Sequence, residues 1–204
     1  MTSPDEATAW FERLYADAEA GRTEVPWAFG VPNPLLVDWA EGSELAGDGA
    51  PALVVGCGYG YDAEYVAGRG FSTSAFDISP SAIRGALQRF PSSSVAYSAA
   101  DLFSLPAAWQ QAFALVVEIF TVQALPVRLR PAAAAAVADT VAPGGRLLVV
   151  ARVREDDSPA PAEDGPPWPL SRAELDLFGL GLEQLERIPR PDGVGSWWRA
   201  EFRR

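Results

Sequence analysis

Gly56, Gly58 and Gly60 stand at alternate positions directly behind the apolar run Ala52-Leu53-Val54-Val55, and Tyr61-Asp62 follow them. A buried strand that ends in glycines and runs into a helix leaves backbone N–H groups free to face a ligand. That is where α/β proteins seat a nucleotide-like cofactor. Three acids close later strand-like segments: Asp77 after 71–76, Asp101 after 95–100 and Glu118 after the apolar run 113–117. Asp77 lies 21 residues past Gly56, about where such folds place an acid on ribose hydroxyls. In an open parallel sheet, ligands sit beyond the carboxyl ends of the strands. Three acids in register with a glycine turn therefore read as one site.

Two cofactor classes compete for this layout. A dinucleotide asks for Gly-x-Gly-x-x-Gly with backbone donors aimed at a pyrophosphate. Here Tyr61 stands where the third glycine belongs, and Asp62 and Glu64 open the next helix. Both acids would repel a phosphate at that N-terminus. A cationic, phosphate-free nucleoside fits better, with a ribose for Asp77, an adenine for Asp101-Leu102-Phe103 and a positive end for an acidic, aromatic-lined pocket.

What the chain lacks narrows the chemistry further. It has 204 residues, 27 acids against 16 bases and no histidine, and every base is arginine. Without histidine there is no usual general base near neutral pH, no Ser-His-Asp triad and no histidine metal site. Without lysine there is no P-loop lysine and no Schiff base. Cys57 is the single cysteine, so there is no disulfide or thiolate cluster. A net charge of −11 makes a poor generic nucleic-acid binder. The polar, acidic N-terminus does not read as a signal peptide, and no apolar run is long enough to span a bilayer. The expectation is a cytoplasmic protein with no membrane or nucleic-acid partner.

The elements that position these residues follow from pattern and punctuation. Ser3-Pro4-Asp5-Glu6 opens a helix with Trp10, Phe11, Leu14 and Tyr15 on one face, ending near Gly21. Pro26-Trp27 lies in a segment too rich in breakers for regular structure, and Asn33-Pro34 opens a second helix that ends near Gly42. Strands at 52–55, 71–76, 95–100, 113–117 and 146–153 alternate with helices at 62–67, after Ser79-Pro80, and from Pro131 to about Val141, where Pro143-Gly144-Gly145 turns the chain back. The stretch 155–169 reads as a long loop, and Ser171-Arg172-Ala173-Glu174 as a capping box. Runs 182–188 and 197–202 then follow without a helix between them, a terminal antiparallel hairpin that a dinucleotide dehydrogenase would not be expected to have.

With Val54-Val55-Gly56-Cys57-Gly58-Tyr59-Gly60, Phe76-Asp77-Ile78-Ser79, Pro143-Gly144-Gly145 and the hairpin, residues 50–204 resemble a class I S-adenosylmethionine-dependent methyltransferase. Gly60-Tyr61-Asp62, Gln123-Ala124-Leu125-Pro126 before Arg130-Pro131, Gly165-Pro166-Pro167-Trp168 with Ser171, and the tryptophans before and at Pro26-Trp27 are similar to the branch of thiopurine S-methyltransferase and the thiol and halide methyltransferases. Two features depart from the class: Val54 replaces an acid common before the first glycine, and strand four opens Phe113-Ala114 rather than Phe-Asp.

The resemblance implies an α/β, Rossmann-like seven-stranded mixed sheet, mostly parallel with a terminal antiparallel hairpin, and helices on both faces. It implies one domain over 1–204, with 1–45 as an N-terminal helical lid and 50–204 as the cofactor-binding core. It further implies S-adenosylmethionine as cofactor and S-adenosylhomocysteine as product. Gly56, Cys57 and Gly58 would approach the methionine part, with Asp62 beside them, while Asp77 binds the ribose and Ile78 packs on the adenine. Asp101 and Leu102 would frame the adenine edge, Glu118 would lie beside the sulfonium, and Trp10 and Trp27 would cover the site.

Trp10 equally fits the apolar face of its helix, and Cys57 fits a small loop residue better than a nucleophile. Methyl transfer from a sulfonium needs orientation and a dry site more than a base. A thiol ionises near neutral pH more readily than a phenol, alcohol or amine loses its proton, so a small soft nucleophile is the expected acceptor and no residue is assigned as catalytic or metal-binding. An NAD(P)-dependent oxidoreductase and a non-catalytic binding module are the alternatives, and the protein is expected to be a monomer or dimer.

Overall fold

A computed structural model describes residues 4–156, 158 and 168–204. Two expectations lie outside that set: the Ser3 cap, and most of the 155–169 loop with its Gly165-Pro166-Pro167 motif. The chain packs as two compact units, Met1–Leu105 and Pro106–Arg204. Its seven strands make up one mixed sheet.

In the first unit, helices α1 (Pro4–Glu19) and α2 (Pro34–Gly42) precede β1 (Pro51–Val55), α3 (Tyr61–Gly68), β2 (Ser72–Asp77), α4 (Pro80–Arg89) and β3 (Ala96–Ala99). The strands are parallel in the order β3-β2-β1. Every residue of β1 after Pro51 is buried, as expected of a parallel strand covered on both faces. Pro51 is tolerated because it stands first in the strand. Asn33 caps α2 by accepting from the Leu35 amide at 2.9 Å, and Ser79 caps α4 through the Ala82 amide at 3.0 Å. Each is followed by a proline already set for the first helical turn.

The second unit holds β4 (Phe113–Ile119), α5 (Arg130–Ala138), β5 (Val141–Arg152), the short α6 (Arg172–Leu175), β6 (Gly181–Pro189) and β7 (Ser196–Arg203). β4 and β5 are parallel, and β7 runs antiparallel between β5 and β6. The Ser171 capping box with Glu174 forms as expected.

Two expectations are corrected here. Pro143-Gly144-Gly145 is not a turn ahead of strand five but an irregularity inside β5, where pairing jumps from Val141 to Arg146. Gly145 is held so close to its neighbours that a Cβ would lie 2.8 Å from the Phe113 carbonyl. β4 also runs on to Ile119, so Glu118 lies within the strand rather than after it. The unbroken apolar run ends at Val117, but the ladder with β5 continues through Glu118 and Ile119, which composition alone does not reveal.

Candidate active site

The first unit gathers the glycine turn and the acids of β2 and β3 at the carboxyl ends of three parallel strands. Gly56, Gly58 and Gly60 all take positive φ, at 59°, 52° and 88°, a region costly for other residues. At Gly58 a side chain also has no room: a Cβ would lie 2.7 Å from the Tyr15 hydroxyl. The Cys57 amide donates to the Phe76 carbonyl at 2.9 Å, which ties the turn to the end of β2. Burial, and then the Asp77 charge, push the Cys57 thiol well up. The thiol therefore stays protonated and is not an activated nucleophile.

Asp77 is buried and uses both oxygens locally. Oδ2 accepts from the Gly58 amide and Oδ1 from the Ser79 amide, each at 2.9 Å. The carboxylate thus clamps the glycine turn to the start of α4, and each oxygen keeps a second lone-pair site for a ligand. Burial is the larger influence on its pKa and outweighs these bonds, so Asp77 is pushed up to about 6. Ile78, next along the chain, is only half-buried. The Ala100 amide donates to the Asp77 carbonyl at 3.0 Å, bringing the end of β3 alongside. There Asp101 Oδ1 accepts from the Phe103 amide at 2.9 Å, and Leu102 is buried.

Asp62 does a different job. It accepts from the Asn33 amide at 2.6 Å, which fixes the approach to α2 against the start of α3. Desolvation raises it to about 6. The N-terminal segment supplies an aromatic cluster: Trp10 stacks on Phe11 and meets Trp27 edge-on, with centroids 5.9 Å apart. Trp27 Nε1 donates to the Tyr15 hydroxyl at 2.9 Å.

Two residues in this region were not picked out from sequence. Tyr15 was only one member of an apolar helix face, yet its hydroxyl stands against Gly58. Burial, and then the Asp77 charge, hold that hydroxyl well above the usual phenol range. Glu12 accepts from the Ser79 hydroxyl at 2.6 Å and from the Ser81 amide and hydroxyl at 3.1 and 2.7 Å. An anion from α1 therefore sits on the N-terminus of α4, where the helix dipole favours it. The only sequence signal was an acid on the same turn as the tryptophan stripe.

Glu118 belongs to the second unit. Its Oε1 accepts from the Thr121 and Val122 amides at 2.6 and 3.0 Å, and buried Oε2 has no partner among the described residues. Desolvation pushes it up to about 7. Phe120, two residues on, takes φ 64°, an outlier for a bulky residue of the kind that collects at functional sites. Buried Gln123 accepts from the Arg152 amide at 2.6 Å, and so joins the segment after β4 to the end of β5.

The sequence model of the family Thiopurine S-methyltransferase matches residues 19–194. The chain belongs to the thiopurine S-methyltransferase family. Its members are S-adenosylmethionine-dependent methyltransferases, and this chain is an enzyme of that kind. A probable thiol methyltransferase 2 of Arabidopsis thaliana is 27% identical over 209 residues, covering 95% of this chain and 88% of the relative. A 2-heptyl-1-hydroxyquinolin-4(1H)-one methyltransferase of Mycobacteroides abscessus is 27% identical over 153 residues, covering 74% of this chain and 64% of the relative. The crystal structure of Burkholderia thailandensis 1,6-didemethyltoxoflavin-N1-methyltransferase, with its substrate and S-adenosylhomocysteine bound, superposes with TM-score 0.77 at 17% identity. It covers 100% of this chain and 91% of that one, and at that identity it speaks for the fold alone.

Family membership sets aside the NAD(P)-dependent alternative. The thiopurine S-methyltransferase cofactor also fits the residues present. Glycine at 56, 58 and 60 keeps the turn free of side chains of its own, buried acids favour a cation, and Ile78 leaves an apolar surface half-open. Among the described residues, no cluster of His, Cys, Asp and Glu could hold a metal, and no helix is long and apolar enough to cross a membrane.

Proposed function

We propose that this methyltransferase acts on a small-molecule acceptor and favours a thiol. The observation that carries the acceptor class is the complete absence of histidine from 204 residues. A thiol needs no strong base, whereas a phenol, alcohol or amine is helped by one. The thiol methyltransferase among the relatives supports the same reading.

When bound, S-adenosylmethionine supplies an electrophilic methyl on a cationic sulfur. Gly56, Cys57 and Gly58 approach the methionine part, their turn held in shape by the Cys57 and Gly58 amides, which donate to Phe76 and Asp77, with Asp62 fixing the helix behind them. Asp77 accepts from the ribose, Ile78 packs on the adenine, and Asp101 and Leu102 frame its edge. Glu118 offers negative charge to the sulfonium side, while Trp10 and Trp27 exclude water from above as part of a lid made of residues 1–45. Tyr15 joins them, because it has a hydroxyl proton to donate.

A second reading, a hydroxyl acceptor with Glu118 taking its proton, draws on the unpartnered Oε2 and on the hydroxyquinolone methyltransferase among the relatives. Calorimetry with S-adenosylhomocysteine and methyl transfer to a panel of thiols, phenols and amines separates the two. Turnover confined to thiols supports the first, and turnover of phenols that Glu118→Gln abolishes supports the second. Asp77→Ala should weaken the cofactor about ten- to a hundredfold, the worth of hydrogen bonds to a charged group. Wild-type affinity in that variant would remove Asp77 from the site.

A further inference from the structure

The second unit carries a pair of arginines that the cofactor roles leave unused. Arg152 ends β5 and pairs directly across from Trp197 of β7, which in turn pairs with Ile188 of β6. Residues opposed in antiparallel strands share a face, so Arg152, Trp197 and Ile188 form one row. Arg190, two residues beyond Ile188, holds its guanidinium 5.9 Å from the centre of the Trp197 ring. Trp197 therefore has Arg152 in register beside it on one strand and the Arg190 guanidinium near its ring from the other.

Their charges are unequally satisfied. Arg190 pairs with Asp192, while its buried Nε has no partner among the described residues. Among the described residues the Arg152 guanidinium makes no hydrogen bond or ion pair, although it is half-buried. Other half-buried arginines of this unit do, as Arg154 does with Glu174. Burial first and Arg190 second hold Arg152 below the usual arginine range, against the pull of Asp192. A desolvated cation beside a second cation is a cost that a bound anion relieves.

Position supports a ligand role. The Arg152 amide is fastened to the Gln123 side chain, so the residue stands at the carboxyl ends of the parallel strands β4 and β5. Ligands bind beyond such ends in open α/β sheets.

We propose that Arg152, with Arg190 across Trp197, is an anion subsite that selects methyl acceptors carrying a carboxylate. Arg152 supplies the free guanidinium fork, Arg190 adds charge, and Trp197 offers a flat apolar surface for the body of the acceptor. This rests on the small-acceptor reading above and adds to it that the acceptor is an organic anion.

The test uses two aryl compounds that differ only in charge. Benzoate and benzamide are titrated calorimetrically into protein saturated with S-adenosylhomocysteine, and 4-mercaptobenzoate and 4-mercaptobenzamide are compared as acceptors. Wild type should bind benzoate over benzamide and show the higher kcat/KM for the carboxylate thiol. Arg152→Gln should cut both preferences about tenfold, the loss being in KM, and Arg152→Lys should restore part of them. Equal binding of benzoate and benzamide to wild type, or preferences unchanged in Arg152→Gln, would overturn the proposal. If neither thiol is methylated, the acceptor reading fails, and the benzoate titration still decides the anion subsite.

Discussion

The Tyr15 hydroxyl occupies the space that a side chain at residue 58 would need. A Cβ built on Gly58 would lie 2.7 Å from that oxygen but 3.8 Å from the ring carbon bearing it. Gly58→Ala therefore carries two separable penalties. One is the left-handed backbone, about 1–2 kcal/mol, and the other is displacement of Tyr15. Tyr15→Phe alone should cost about 1 kcal/mol for the lost Trp27 hydrogen bond. In the double variant the offending oxygen is gone, so urea unfolding should show a total smaller than the sum of the singles. Strict additivity would mean that Tyr15 does not confine the turn.

Glu12 is the latch between α1 and α4. Glu12→Ala should destabilise by about 2 kcal/mol at neutral pH and speed hydrogen exchange in α1 more than in β1. Partial burial would push Glu12 up, but the Ser79 and Ser81 hydrogen bonds and Arg84 outweigh it and hold it below its usual value. A carboxyl lowered on folding stabilises above its unfolded pKa and loses that contribution as pH falls through the folded one. The cost of Glu12→Ala should therefore shrink on acidification, and an equal cost at pH 3 and pH 7 would contradict the latch.

Glu118, Asp77 and Asp62 titrate in the opposite sense. Burial raises them to about 7, 6 and 6 respectively. A raised carboxyl stabilises fully below its unfolded pKa, near 4, and loses that contribution as pH rises through the folded value. The melting temperature of the ligand-free protein should decline from about pH 5 to pH 8. Glu118→Gln keeps an acceptor for the Thr121 and Val122 amides and never ionises. It should melt higher than wild type at pH 8, with a gain of up to about 3 kcal/mol, and show a flatter profile. A lower melting point at pH 8 would show that the charge at this position is compensated.

Arg130 is fully buried and donates to the Leu125 and Trp168 carbonyls and to Glu174. Glu174 also pairs with Arg154. Arg130→Met should cost about 3–5 kcal/mol in urea unfolding, because it takes the donor from Glu174 Oε1 and from two buried carbonyls while Arg154 still holds Oε2. Arg130→Met combined with Glu174→Gln should recover part of that loss, since a neutral amide opposite the methionine costs less to leave without its buried donor than a carboxylate oxygen does. A double variant no better than the single would place the cost in packing instead.

By itself the sequence determined the strand-and-helix order, the glycine turn and the placing of Asp77, Asp101 and the terminal hairpin. These are local: a glycine takes positive φ, a proline opens a helix, and an apolar run buried on both faces becomes a parallel strand, whatever lies far along the chain. The same locality explains the errors. Glu118 extends β4 only because β5 offers a ladder partner, and Pro143-Gly144-Gly145 stays within β5 because the β4 and β7 ladders resume at Arg146. What only the tertiary structure decided are the long-range partners. Tyr15 meets Gly58, Glu12 meets Ser79 and Ser81, and Arg152 meets Trp197 across 45 positions of chain. No periodicity encodes such meetings, because each depends on how separate elements pack, and packing also decides which charges are left desolvated and in need of a ligand.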